Sequence, residues 1–337
     1  MGTVQAPSTE NSMSEIYVTV ITSCFCGPIP EVVERLARLV PGIQGFDLYC
    51  FQEADRAILP SRVSPTAPVS RWATGLHVAG AENILRQVLD GRHVAALATN
   101  LPTISSLDAK TRGKAVEALR RLCNLAVHLK ARCVEIVCGS DIVDAGEEES
   151  VGKRVGSGPS AEKSRIRALV LSLAALNAYL NRHHRDVGIA LEIEPGISHL
   201  LNGGAVLRRV LQSVDATIGR LGGKNHIGIN LDVGHYVLLR EAGDDLMPVL
   251  RDYKDRVLHA HASRHEYPIH CADLALRERD FDRYREPLQF YLSLYNEQPR
   301  SPYMTGAIAL EQETAASEDQ VALAYAILRN WVDRLDC

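Results

Sequence analysis

Apolar and polar positions along the chain switch repeatedly between a period of two and a helical period. Short β-branched or apolar runs at Ile16–Thr22, Gly45–Cys50, Val94–Thr99, Cys133–Cys138, Gly188–Glu194, Ile227–Asp232, Val257–Ala262 and Ala307–Glu311 read as eight strands. Amphipathic stretches at Pro30–Leu39, Ala81–Leu89, Ala109–Leu129, Ala161–Asn181, Ala205–Leu221, Asp244–Tyr253, Pro287–Tyr295 and Glu318–Leu335 read as helices. Strands that alternate with helices pair in parallel through crossover connections. Eight such units predict an α/β chain closed into one (β/α)8 TIM barrel over residues 15–337, with 1–14 a polar, disordered tail. An open doubly wound sheet is the alternative. The first strand leads into Ile21-Thr22-Ser23-Cys24-Phe25-Cys26-Gly27-Pro28, which lacks the G-x-G-x-x-G phosphate fingerprint and weakens that alternative.

Composition narrows the function classes. The 337 residues carry 46% hydrophobic and 23% charged side chains, the balance of a chain that buries a large core. A formal net charge of −4 argues against a nucleic-acid partner held through phosphates. No apolar run reaches membrane-spanning length, so no membrane partner is expected. The eight cysteines include no C-x-x-C pair. A reduced, cytoplasmic protein is the expectation, and a homo-oligomer stays open.

Candidate chemistry appears where strands end in polar residues that should face a barrel interior. The segments are Glu192-Ile-Glu194, Asn230-Leu-Asp232-Val-Gly-His235, His259-Ala-His261 and Glu311-Gln-Glu313. Residues at i and i+2 share a face of a strand, so each strand sends two polar side chains the same way. An acid at one strand end commonly caps a helix. Four consecutive strand ends of this kind fit a divalent-metal site better, because isolated carboxylates in a barrel interior are strongly penalised. A set of carboxylates and imidazole suits Mn, Mg or Co, with Zn a further candidate. Glu194 competes with Glu192 for the fifth strand, and His259 with His261 for the seventh. His77, His128, His183, His184, His199 and His226 show no partner pattern and read as surface or packing residues. Gly203-Gly204 reads as a turn that starts a helix, with a phosphate cradle the lesser alternative.

The ordered fragments Ala190-Leu191-Glu192, Leu231-Asp232-Val233-Gly234-His235, His259-Ala260-His261 and Ala309-Leu310-Glu311-Gln312-Glu313 resemble the xylose isomerase-like barrels of the sugar phosphate isomerase/epimerase superfamily. The resemblance covers roughly 93–330 and implies one divalent ion held by Glu192, Asp232, His261 and Glu311. Glu194, His259 and Glu313 would then support those ligands. It implies a substrate contact from His235; Glu192 and Glu311 are read as the catalytic acid/base pair, and Arg264 as a further substrate contact. Two departures matter. DNA-repair members carry extra His ligands where this chain has Thr99-Asn100 and Val137-Cys138-Gly139, and His270 and Asp273 come in the wrong order for their D-x-H pair. Ketose epimerases place an Arg further beyond the His ligand than Arg264 stands from His261, so the substrate stays open.

The expected function is metal-dependent isomerisation or epimerisation of a sugar, cyclitol or related polyhydroxy carbonyl compound through an enediolate. A dehydratase acting on a similar substrate is the nearest rival, and a non-catalytic metal-binding barrel the third reading.

Overall fold

Eight parallel strands close on one another in chain order: β1 (Tyr17–Ile21), β2 (Gly45–Tyr49), β3 (His93–Leu101), β4 (Cys133–Cys138), β5 (Gly188–Glu192), β6 (Ile227–Asp232), β7 (Val257–Ala262) and β8 (Ala307–Leu310), with β8 pairing back onto β1. The computed structural model describes residues 16–25, 29–50, 81–138, 159–195, 199–267, 274–297, 301–312 and 317–335. The expected tail at 1–14, most of the connection after β4, and His77, His270, Asp273 and Glu313 lie outside the described residues.

Nine helices surround the strands among the described residues: α1 (Ile29–Leu39), α2 (Ala81–Leu89), α3 (Ala109–Leu129), α4 (Pro159–His183), α5 (Gly204–Leu221), α6 (Val233–Glu241), α7 (Met247–Asp252), α8 (Phe281–Asn296) and α9 (Glu318–Leu335). Each amphipathic helix turns its apolar stripe inward, as Leu207, Val210, Leu211, Val214 and Ile218 do on α5. Local chemistry sets the ends of α3. The Asp108 carboxylate accepts from the Thr111 backbone N–H at 2.7 Å, and Lys130 turns left-handed at φ 60° to close it.

Three expectations are corrected. Helix α6 is absent from the sequence reading because Val233–Leu239 are all buried, leaving no polar face to mark a helical period. Helix α8 begins at Phe281, so Pro287 lies inside it and does not start it. Helix α7 spans only Met247–Asp252, because Asp245 ends the preceding turn by accepting from Met247 N–H at 2.9 Å.

Inside the barrel the N-terminal end is plugged by Ala96, Cys133, Ala190, Leu258 and Tyr303. Leu258 fits because Gly188 and Gly228 face it. A Cβ on Gly228 would stand 2.4 Å from the Leu258 side chain and 2.3 Å from the Arg256 carbonyl oxygen. Above this plug the interior turns polar.

Candidate metal centre

The C-terminal half of the interior gathers Asp47, Glu135, Glu192, Asp232, His259 and His261, all almost fully buried, with the half-buried Glu311 at its rim. Glu192, Asp232, His261 and Glu311 each offer one ligand atom within 4.8 Å of the others. The structure therefore brings together the four residues implied as metal ligands. Glu194 is not in that group; its Oε1 lies 3.7 Å from His235 Nε2.

Each side chain is placed by an identifiable local feature. Asp232 ends β6 and caps α6: its Oδ1 accepts the His235 backbone N–H at 2.7 Å and the Ser263 hydroxyl at 2.8 Å. Oδ2 is buried without a hydrogen bond, as is Glu192 Oε1. Helix-capping and membership of the acidic cluster thus belong to the same residue. Gly234 makes the arrangement possible, because a Cβ there would lie 2.4 Å from the Ser263 carbonyl oxygen. His261 turns Nδ1 toward Glu311 at 3.2 Å and Glu192 at 3.8 Å. Its Nε2 faces Asp47 at 3.5 Å and Glu135 at 3.8 Å.

The electrostatics demand a cation or protons. Desolvation, then the like charges of Glu135 and Glu311, hold the Glu192 carboxyl well above the usual carboxylate range. Burial likewise raises Glu135, and it raises Asp232 against the opposing pull of His261. Burial would raise Asp47 too, but the His259 and His261 imidazoles outweigh it and keep that carboxyl low. A divalent ion fits this donor set: three carboxylates and one imidazole of N/O type, with carboxylate oxygens buried and not hydrogen-bonded. Like charges this close otherwise keep each other protonated.

His235 stands beside the cluster, its Nδ1 3.5 Å from Glu192 Oε1. Arg264 is buried with Nε 2.9 Å from Asp280 and Nη2 bonded to Glu266. Gly203 precedes α5 as expected of a turn, and the Asp244 carboxylate already accepts from Gly204 N–H at 3.0 Å. The histidines read as packing residues include His199 and His226, both buried. His226 Nδ1 donates to the Val187 carbonyl at 2.9 Å.

Four interior or rim residues escaped the sequence reading. Asp47 and Glu135 are single acids in the middle of apolar strands, a signal that a search for polar pairs at strand ends passes over. Ser263 and His265 continue the every-second-residue run from His259 and His261 past the end of β7. Ser263 gives its one hydrogen to Asp232, so it accepts from His265 Nε2–H at 2.7 Å. The His265 ring packs 4.7 Å from that of His235.

No curated protein matches the chain by sequence. Similar solved structures include 3-keto-D-glucoside 4-epimerase YcjR from E. coli, with a TM-score of 0.60 at 15% identity over 94% of this chain and 99% of that one. A D-tagatose 3-epimerase-like protein gives a TM-score of 0.61 at 13% identity over 95% and 98%. The IOLI protein, solved with a zinc atom, gives 0.57 at 13% identity over 95% and 99%. At such identities the likeness concerns the fold. The model of the xylose isomerase-like TIM barrel family matches residues 72–286, well over half of the chain, and the protein belongs to that family.

Proposed function

We propose that the chain is a divalent-metal-dependent isomerase or epimerase acting on a sugar, cyclitol or related polyhydroxy carbonyl compound. The carrying observation is the convergence of Glu192 and Glu311 with Asp232 and His261 at the C-terminal mouth of the barrel. Epimerases among the structural neighbours support the same class. Glu192, Asp232, His261 and Glu311 would hold the ion, with Mn, Mg or Co favoured by the three carboxylates and Zn supported by the zinc-bound neighbour. When bound, the ion supplies positive charge that stabilises an enediolate developing on adjacent substrate oxygens.

The chain's own residues do the rest. Glu192 on β5 and Glu311 after β8, with two strands between them, would take a proton from one carbon and return one to its neighbour. His235 beside Glu192 would hold a substrate oxygen. Arg264 would contact substrate through Nη1, since Asp280 and Glu266 hold Nε and Nη2. No described helix is long and apolar enough to cross a membrane. The buried free thiols Cys24, Cys50, Cys123, Cys133 and Cys138 support a reducing, cytoplasmic setting.

The test is a screen of ketoses, inososes and sugar phosphates with Mn- or Co-loaded protein in deuterated water. The expected result is deuterium at the carbon next to the carbonyl and a product of unchanged formula. Loss of water from the product would make the protein a dehydratase. Full turnover by metal-free protein would overturn the proposal.

A further inference from the structure

Beneath the proposed metal ligands lies a second polar layer, sealed on all sides and centred on Asp47. The β2–β3 ladder shifts register between Phe46 and Leu48, so the irregularity brackets this one acid. Bulges of this kind re-aim side chains next to functional sites. Asp47 is fully buried, and its Oδ1 accepts the Thr19 hydroxyl at 2.9 Å. His259 Nε2 lies 2.5 Å from Oδ2. An ionised carboxylate only accepts, so His259 carries its hydrogen on Nε2. On the far side, His259 Nδ1 stands 2.8 Å from Thr305 Oγ1. That hydroxyl oxygen also accepts Ala307 N–H at 3.2 Å, while the Tyr291 hydroxyl donates to the Ala307 carbonyl at 3.0 Å. Thr305 is thus left to give its own hydrogen to His259 Nδ1. Every polar atom of His259 and both oxygens of Asp47 are engaged.

We infer that Asp47 is a positioning residue for the metal ligand His261, and that His259 serves to hold Asp47 and binds no ion. His261 has two faces: Nδ1 points to Glu192 and Glu311, and Nε2 points to Asp47 at 3.5 Å. His261 Nε2 is buried without a hydrogen bond and faces the Asp47 carboxylate; a hydrogen drawn to that side leaves the lone pair on Nδ1, toward the other ligands. A carboxylate behind a ligating imidazole sets tautomer and orientation and raises the basicity of the ligating nitrogen. Asp47, His259 and His261 also lie close enough together to suggest an ion of their own. The hydrogen bonds of Asp47 to Thr19 and His259, and of His259 to Thr305, speak for a closed support instead. The inference rests on the proposed metal site above it.

Zinc binding to the purified full-length chain provides the test, by competition with a chromophoric chelator and by nitrogen-15 spectra of its histidines. Wild type that binds no zinc overturns the metal site and this inference together. With zinc bound, His261 should show a metal-bound Nδ1 and a protonated Nε2. Asp47→Asn should weaken zinc by about 10–100-fold, the scale of removing a partner behind a ligand. Thr305→Val sits farther from the ion and removes the donor to His259 together with the acceptor of Ala307 N–H. It should weaken zinc by a smaller factor and shift the His259 Nδ1 resonance while the hydrogen stays on Nε2, which keeps the idea testable if Asp47→Asn fails to fold. Tight zinc in wild type with unchanged affinity in the folded variants overturns the role of Asp47 while leaving the metal site standing. Ligation through His261 Nε2, or a second zinc that His259→Ala removes, overturns it as well.

Discussion

Ser263 and Asp232 meet at 2.8 Å on the same carboxylate oxygen that caps helix α6, so both hydrogen bonds fall on Oδ1 and Oδ2 is left without one. The geometry separates the cap, on Oδ1, from the oxygen that would face the proposed ion. Ser263→Ala removes one of the two restraints and frees the side chain to turn. Metal affinity should fall by about 10-fold, with the fold retained because the His235 N–H bond persists. Titration calorimetry with Mn or Zn measures this, and unchanged affinity would show that the backbone cap alone orients Asp232.

Strands β4, β6 and β7 and helices α2, α3 and α9 have the bounds that periodicity predicts, because each has a clear apolar face or run. The ligand candidates were visible because Glu192, Asp232, His261 and Glu311 recur at successive strand ends. Asp47 and Glu135 were not, since one acid within an apolar strand gives no pattern and its partners lie on other strands. Of Glu192 and Glu194, the barrel turns Glu192 toward Asp232 and His261 and leaves Glu194 against His235, a distinction that sequence spacing alone does not carry. Helix α6 was hidden for the opposite reason: burial on every side erases the period that sequence reading depends on.

His261 and His259 should differ in their cost to metal binding. His261→Ala deletes a nitrogen that faces Glu192 and Glu311, and it should abolish stoichiometric binding of the ion. His259→Ala deletes a residue bonded to Asp47 and Thr305, so binding should weaken but persist. Elemental analysis after gel filtration distinguishes the two. An empty His259 variant beside a loaded His261 variant would exchange their roles.

Gly228→Ala should destabilise the barrel through its N-terminal plug. The new Cβ would meet the Arg256 carbonyl and Leu258 at 2.3 and 2.4 Å, and the backbone oxygen cannot swing aside. A cost of about 1–3 kcal/mol, typical of overpacking, is expected in urea unfolding. Gly113→Ala, inside helix α3, has nothing within 4 Å of its Cβ and serves as the control that should gain stability by up to about 1 kcal/mol.

His226 predicts a pH dependence independent of the metal centre. Burial lowers its pKa below the ordinary histidine value of 6.5, against the opposing hydrogen bond to Val187. The folded state therefore binds this proton less readily than the unfolded chain. Stability from His226 is complete above the unfolded value and is lost as pH falls from there toward the lowered folded value. Wild type should lose more stability than His226→Gln between pH 7.5 and about 5.5 in chemical denaturation. Equal losses would show that other groups govern the acid limb.

The two glutamates test chemistry apart from metal binding. Glu192→Gln and Glu311→Gln keep an oxygen that can face the ion but lose the group that accepts a proton. Glu192 is fully enclosed and crowded by Glu135, whereas Glu311 lies at the rim with part of its side chain open. Each variant should stay folded, bind some metal, and lose turnover by at least ~100-fold, the scale of a general base. The double variant should lose little more, since both residues serve a single proton transfer. Deuterium exchange then separates their roles: a variant lacking only the returning acid still washes substrate hydrogen into solvent while forming no product. Glu194→Gln should be milder, because Glu194 faces His235 and not the ligand cluster. An inactive Glu194 variant beside a normal Glu192 variant would move the proposed base two residues past the end of β5. Normal turnover in all three with metal bound would rule out a carboxylate-paired proton transfer.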